Sequence, residues 1–159
     1  MTHAGDEIQL VVFRIGAQHF ALNVFQAERI LLYEAPSPLP QAPDFLEGMV
    51  SYGDASIPLV DMRKRFGVAA PVQDETRTIV LELDQGRIGI VVDAVQDVVS
   101  VDADRIERPP DIVRKLAAEC ISGIVRIGTQ PVIILAVATL LSSTERIALE
   151  ELIVEVVHE

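Results

Sequence analysis

Short apolar runs, separated by turn residues, recur along most of the chain. Residues 8–15 form a nearly continuous apolar stretch that ends at Gly16-Ala17-Gln18. Residues 19–24 form a second apolar run directly after this turn. Two such runs joined by a short glycine-containing turn predict a β-hairpin. About ten short strands at this spacing, without long crossover helices, predict small β barrels. The other runs cover 25–34, 49–52, 56–60, 78–83, 87–94, 96–101, 121–127 and 132–135.

Prolines and glycines mark the segments between these runs. Four prolines between residues 36 and 43 exclude a regular ladder there and predict an extended loop. Residues 25–34 fit either one extended run or a helical turn followed by a strand. Residues 62–66 predict a short helical turn that ends at Gly67, and residues 111–118 predict a short helix after Pro109-Pro110.

The tail differs from the rest of the chain. Ser142 and Glu145 have the spacing of a capping box, which predicts a helix over residues 144–158. Its apolar residues fall on one helical face, so the helix is amphipathic. That face either packs against the barrels or binds a partner, and the sequence leaves both alternatives open. The apolar positions are Leu149, Leu152, Ile153 and Val156.

The second half of the chain repeats the order of the first. Gly48 and Gly53 recur as Gly123 and Gly128, both at a spacing of 75 residues. Residues 20–24 align with residues 88–92 at a spacing of 68. Such self-similarity suggests a duplication, and the seam between two similar units is a natural place to bind a partner.

Composition and charge narrow the classes of partner. A chain of 159 residues corresponds to about one domain, and its formal net charge is −11. Such an acidic surface repels nucleic-acid phosphates and anionic lipid, so we expect neither nucleic acid nor a membrane as the primary partner. The apolar run 131–141 is shorter than the ~20 residues that a transmembrane helix needs. The single cysteine and the absence of a signal-peptide pattern predict a cytoplasmic protein.

The chain offers little catalytic chemistry. The three histidines and Cys120 lack metal-ligand spacing, so we expect no metal and no cofactor. Asp93 and Asp97 are four residues apart and could share one face of a strand. They could perform acid–base catalysis or simply form hydrogen bonds in a turn, which leaves a small acidic β-barrel enzyme as an alternative. The basic cluster Arg63-Lys64-Arg65 fits either a solvated face or a contact with an acidic partner.

Several motifs resemble the chemotaxis coupling protein family CheW. One is the stretch from Arg87 to Val99, which reads RIGIVVDAVQDVV. Another is Gly48 followed ten residues later by PLVDMR, from Pro58 to Arg63. Gly123 with the apolar residues 133–135 and 140–141 is similar to the closing section of the family. The resemblance runs from about residue 8 to residue 143, with the motifs in order.

The resemblance implies two five-stranded, SH3-like β barrels packed together. With the short helices and the C-terminal amphipathic helix predicted above, the expected fold class is all-β. The resemblance implies one domain over 8–143, with barrels at approximately 16–70 and 78–141 and the strand 8–15 pairing near the seam. It also implies a non-catalytic adaptor. Such proteins bind the cytoplasmic tip of methyl-accepting chemoreceptors and the regulatory domain of the histidine kinase CheA, within membrane-associated receptor arrays. A pilus or gliding pathway is an alternative to chemotaxis.

The resemblance also implies where partners bind, and this sequence departs from the family there. Gly53 stands where the family usually has Arg, and Arg29 stands where it often has a Glu that pairs with that Arg. Because Asp54 lies beside the lost Arg, we hypothesise an ion pair with exchanged charges, Arg29 to Asp54. Ala136 stands where the family often has Asp or Asn. The receptor- and kinase-binding positions carried over are Ala27, Arg29, Gly48, Gly53, Asp54 and Val95.

Overall fold

A computed structural model describes residues 6–40, 46–65, 71–83, 86–108 and 121–137. The strands confirm the predicted pattern of short apolar runs, and residues 25–34 contain a turn followed by a strand. The predicted helices at 111–118 and 144–158 lie outside the described residues. The strands are β1 Glu7–Ile15, β2 Gln18–Asn23, β3 Ala27–Leu32, β4 Leu46–Tyr52, β5 Ala55–Asp61, β6 Arg77–Leu83, β7 Gly86–Val92, β8 Ala94–Asp102, β9 Ile121–Ile127 and β10 Gln130–Leu135, with a helical turn α1 Met62–Arg65 and a 3-10 turn Ala103–Arg105.

The strands form two five-stranded sheets. The first sheet has the order β8-β1-β2-β10-β9, and the second has the order β3-β6-β7-β5-β4. Each sheet contains one parallel pair, β2 with β10 in the first and β5 with β7 in the second. The other neighbouring pairs are antiparallel. Consecutive strands belong to the same sheet, except that the chain passes from one sheet to the other between β2 and β3 and between β7 and β8.

Each sheet is closed by the chain segment that follows its edge strand. After β3, Ser37 exchanges backbone hydrogen bonds of 2.8 and 2.9 Å with Met49 of β4. After β8, Glu107 exchanges bonds of 2.8 and 2.9 Å with Ile124 of β9. Each bridge therefore joins the two edges of its own sheet, which confirms the two SH3-like barrels that the family resemblance implies. We call them the first barrel (β1, β2, β8, β9, β10) and the second barrel (β3 to β7).

The expected boundaries of the barrels, 16–70 and 78–141, are wrong. The hairpin β1–β2 completes the barrel of β8, β9 and β10, while the hairpin β6–β7 completes the barrel of β3, β4 and β5. The two repeats thus exchange their N-terminal hairpins. The reason is the parallel pairing of β2 with β10 and of β5 with β7, which unites strands from different repeats. Sequence similarity identifies equivalent strands but does not reveal which copy a hairpin joins.

The strand registers agree with the internal repeat. In the second barrel Leu59 pairs with Gly89, and in the first Ile134 pairs with Ala21. Leu59 and Ile134 are 75 residues apart, and Ala21 and Gly89 are 68 apart, which are the spacings found in the sequence. The repeat is therefore present in the structure as two barrels with equivalent strands.

The largest core cluster lies between the barrels. Phe13 and Phe20, which are paired across β1 and β2, stack with ring centroids 6.0 Å apart and belong to this cluster. It also includes Ile79 and Ile90 from the second barrel, so we call it the seam core. Leu10 belongs to a separate cluster formed by strands of the first barrel. Strand β1 thus buries both faces, which accounts for its continuous apolar run.

Candidate functional site

The predicted binding residues fall into two groups. Ala27 at the start of β3 and Val95 near the start of β8 are both partly buried and pack against the seam core. They are 68 residues apart, so they occupy equivalent positions in the two repeats. Arg29, Gly53 and Asp54 are exposed on the second barrel. The structure therefore brings one position from each barrel to the same core.

Gly48, the remaining predicted residue, is buried in β4. Its φ is +147°, and a Cβ placed on it would lie 2.3 Å from the carbonyl oxygen of Ser37. Gly123, its counterpart in β9, would place a Cβ 2.7 Å from Cγ2 of Ile106 and 3.2 Å from the carbonyl oxygen of Glu107. Both glycines lie where the closing segment crosses the edge strand, so the close approach that seals each barrel requires them.

Glu28 is the centre of a polar cluster on the second barrel. Its carboxylate accepts a hydrogen bond of 2.6 Å from the hydroxyl of Tyr52 and bonds of 2.9 and 2.7 Å from Nε of Arg87. These contacts connect β3, β4 and β7. The pairing of β3 with β6 shifts between Ala27 and Arg29, so Glu28 is the extra residue of a β-bulge, a feature that re-aims a side chain.

The hypothesis of an ion pair from Arg29 to Asp54 is wrong. Both residues are described, and no salt bridge joins them among the described pairs. The acid that pairs is Glu28, and its cation is Arg87 of β7. Arg29 is instead an exposed cation beside this cluster. The bulge explains this difference, because it places Glu28, the residue before Arg29, where it can pair with Arg87.

The contacts of Glu28 shift the pKa values of both Glu28 and Tyr52. The hydroxyl of Tyr52, followed by the guanidinium of Arg87, holds the pKa of Glu28 below its ordinary value. The carboxylate of Glu28 in turn raises the pKa of Tyr52. Because folding lowers the pKa of the Glu28 carboxylate, its hydrogen bonds stabilise the fold at pH values above 4.5, the ordinary pKa. This stabilisation is lost as the pH falls through the lowered pKa of Glu28.

Replacing Tyr52 with Phe should therefore raise the pKa of Glu28 towards its ordinary value, because the hydroxyl is the first cause of the shift. The measurement is a carbon-detected NMR titration of the Glu28 carboxyl group between neutral and acidic pH. Tyr33→Phe is the matched control and should leave that titration unchanged. An unaltered Glu28 titration in Tyr52→Phe would show that the hydrogen bond does not form in solution.

A second polar cluster lies buried where the barrels meet. Arg63 and Asp61 are only 4 and 5 % exposed. Nε and Nη2 of Arg63 donate to the two carboxylate oxygens of Asp61 at 3.0 and 2.9 Å, and Nη1 reaches Oδ1 of Asp93 at 3.4 Å. Such a forked, bidentate contact is the geometry that Arg supplies to carboxylates. The carboxylate of Asp61 also raises the pKa of Arg63, which keeps the guanidinium charged.

Asp93 extends this cluster to the first barrel. Its Oδ2 accepts a hydrogen bond of 2.6 Å from the backbone N–H of Gly16, in the turn between β1 and β2. Its own N–H donates to the carbonyl oxygen of Arg14 at 2.9 Å. We call Asp61, Arg63 and Asp93 the seam triad. It connects α1 of the second barrel to the first hairpin of the first barrel.

The seam triad corrects the sequence interpretation of the basic cluster and of the acid pair. Arg63 lies neither on a solvated face nor on a contact surface, whereas its neighbour Lys64 is exposed and pairs with Glu47 at 2.9 Å. Both carboxylate oxygens of Asp93 accept hydrogen bonds, while Asp97 is exposed on β8. The structural explanation of the two aspartates is therefore favoured over acid–base catalysis.

Sequence reasoning missed Glu28, Tyr52 and Arg87 as a group, and it treated the triad residues separately. The one sequence signal for the triad is that Asp61 and Arg63 flank Met62 at the end of an apolar run. The structure shows that Met62 is buried. The sequence gives no such signal for Glu28. His19 is partly buried, and its Nδ1 has no hydrogen-bond partner.

The described part of the chain holds neither a membrane-spanning helix nor a cluster of metal-ligating side chains. Within residues 6–40, 46–65, 71–83, 86–108 and 121–137, no helix is long and apolar enough to cross a bilayer. In the same ranges, no three His, Cys, Asp or Glu side chains are grouped so that they could hold a metal ion.

Comparison with known proteins identifies the family. The chemotaxis protein CheW of Klebsiella aerogenes is 30% identical over 145 residues, which cover 89% of this chain and 87% of that protein. That of Treponema pallidum is 27% identical over 145 residues, or 88% and 85% of the two chains. The crystal structure of the scaffolding protein TtCheW from Thermoanaerobacter tengcongensis superposes with a TM-score of 0.81 at 26% identity, over 91% of this chain and 94% of that one. Because the sequence model of the CheW-like domain matches residues 9–145, the chain belongs to the CheW-like domain family.

Proposed function

We propose that this protein is a non-catalytic cytoplasmic adaptor that couples chemoreceptors to a CheA-type histidine kinase. The observation that carries the proposal is the match to CheW proteins over nearly the whole of both chains, in sequence and in fold. One of the matched structures is described as a scaffolding protein. The proposal covers arrays for pilus or gliding motility as well as for flagellar chemotaxis.

The proposed receptor contact involves both barrels. Ala27 and Val95 pack on the seam core from equivalent positions of the two repeats, so a ligand that reaches both must lie along the seam. We propose that an amphipathic helical hairpin at a receptor tip binds there, with its apolar face against the seam. Next to Arg29, Ile30 is 40% and Leu32 is 72% exposed. Exposed apolar side chains of this kind support a protein contact on β3.

The charge at β3 supplies the specificity. Glu28 is engaged by Tyr52 and Arg87, so the exposed Arg29 sets the charge that a partner meets. We therefore propose that the partner carries an acidic residue opposite Arg29, because complementary charges select among similar partners. Gly53 and Asp54 lie in the β4–β5 turn of the same barrel and complete the proposed surface with Gly48 beneath it.

Replacing Arg29 with Glu should weaken binding of the cognate receptor-tip fragment by about tenfold, since it opposes like charges at the contact. The measurement is calorimetric titration of the purified protein. Arg126→Glu is the matched control, because Arg126 is an exposed cation on β9 and the change in net charge is the same. Equal losses in both variants would contradict the proposed surface and point to a general charge effect.

A further inference from the structure

The two barrels carry different side chains at the end of β5 and at the end of β10, which are equivalent strands. In the second barrel, β5 runs into Asp61, Met62 and Arg63, and the charged side chains of the seam triad fill that end. At the equivalent place 75 residues later, β10 runs into Ala136 and Val137. The residue equivalent to Asp93, at a spacing of 68, is Phe25. The first barrel therefore has no acid at either position.

An apolar groove of about 330 Å³ occupies this place in the first barrel. Ala136 is part of its wall, where a larger side chain would reduce the volume. Asn23, Gln26 and Ser122 contribute uncharged polar groups. None of the described lining residues is charged, so the groove suits a neutral apolar group. The apolar wall is formed by Ile8, Leu10, Ile106, Ile134, Leu135 and Val137.

Phe25 lies in the sequence between two residues that line this groove. It lies in the turn between β2 and β3, and its side chain is 91% exposed. Its backbone N–H donates to Oδ1 of Asn23 at 3.0 Å, which fixes the turn. Asn23 and Gln26, on either side of Phe25 in the sequence, both line the groove. The molecule thus presents an aromatic ring and an apolar hole within one short segment.

We propose that this segment is a self-association site, in which Phe25 of each of two copies inserts into the groove of the other. A ring and a hole on the same patch are self-complementary, and a two-fold axis lets one patch supply both contacts. An apolar cavity of ~150 Å³ already holds a benzene molecule, so the groove has room for a phenyl ring. Insertion would bury an aromatic side chain that the isolated chain leaves in water.

Charge makes this association dependent on salt. Each copy has a formal net charge of −11, so two copies repel one another at low ionic strength. Salt screens that repulsion and leaves the apolar contact intact. The dimer should therefore be favoured as the salt concentration rises, which is opposite to the behaviour of a contact made by ion pairs.

The test is sedimentation of the full chain over a range of concentrations at low and high salt. We expect a weak, reversible dimer that salt strengthens. Phe25→Ser removes the ring and Ala136→Leu fills the hole, and each should raise the dissociation constant at least tenfold. Val72→Ser is the control, because Val72 is another exposed apolar residue, at 50%, but lies just before β6 and does not line the groove.

A mixture of the two variants gives the decisive result. Phe25→Ser keeps the hole and Ala136→Leu keeps the ring, so mixing them should restore one of the two contacts and produce a heterodimer that neither variant forms alone. A wild-type chain that stays monomeric at all concentrations would overturn the proposal. Equal weakening by Val72→Ser, or no complementation in the mixture, would also overturn it. None of these outcomes depends on the proposed binding of receptors.

Discussion

Replacing Arg63 with Met is expected to destabilise the protein by about 3–5 kcal/mol, because it leaves buried carboxylates without their cation. Arg63 is 4% exposed, and its side chain donates two hydrogen bonds to Asp61 as well as one to Asp93. Met keeps much of the length of the side chain, so the loss of charge and hydrogen bonds dominates over loss of packing. The measurement is the free energy of unfolding in urea at neutral pH.

Lys64→Met is the matched control for this experiment. Lys64 is the next residue, carries the same charge and pairs with Glu47, but its side chain is 55% exposed. An exposed pair of this kind contributes only about 0–1 kcal/mol. If the two variants lose similar stability, the seam triad is not a buried ion network in solution.

Replacing Gly48 with Ala is the second change with a large expected effect, a loss of about 3–5 kcal/mol in the free energy of unfolding. The added Cβ would meet the Ser37 carbonyl oxygen at 2.3 Å, and the φ of +147° is strained for any L side chain. Ser37 must then move away from β4, which breaks the two hydrogen bonds that it exchanges with Met49. The measurement is again urea unfolding, with folding checked by circular dichroism.

Two further glycines calibrate this prediction. At Gly123 the nearest obstacle is the side-chain atom Cγ2 of Ile106, which can shift more easily than backbone, so Gly123→Ala should cost less. At Gly53 nothing lies within 4 Å, and only the φ of +61° opposes a side chain. Gly53→Ala should therefore cost about 1–2 kcal/mol. A different ranking of the three variants would contradict the account of barrel closure.

The pattern of apolar runs predicts which segments become strands, but not how the strands combine. The run 8–15 is apolar on both faces because β1 contributes Leu10 to the core of the first barrel and Phe13 to the seam core. That double burial is visible in the sequence as a continuous run. The exchange of hairpins between repeats is not, because it depends on parallel pairing between strands that are distant in the chain.

The binding role of the candidate residues stays a prediction, and the structure changes the chemistry expected around them. Ala27 and Val95 came from the resemblance to CheW, and their common contact with the seam core follows only from the packing of the two barrels. The Arg29–Asp54 pair failed because a bulge at Glu28 changes which residue meets Arg87. Alternation along a strand assumes a regular register, and a one-residue shift reassigns every side chain beyond it. Arg63 was misjudged for a similar reason, since a basic triplet does not reveal that α1 buries its first member.

The most direct test of the adaptor account is whether one molecule of this protein binds both partners at once. The cognate kinase regulatory domain is immobilised, the protein is added, and a cognate receptor-tip fragment is then passed over the complex. We expect retention of the receptor fragment only when the protein is present, with separate affinities near the micromolar range, or about 8 kcal/mol each. Absence of binding to either partner, with a folded protein and all cognate partners tested, would contradict the account.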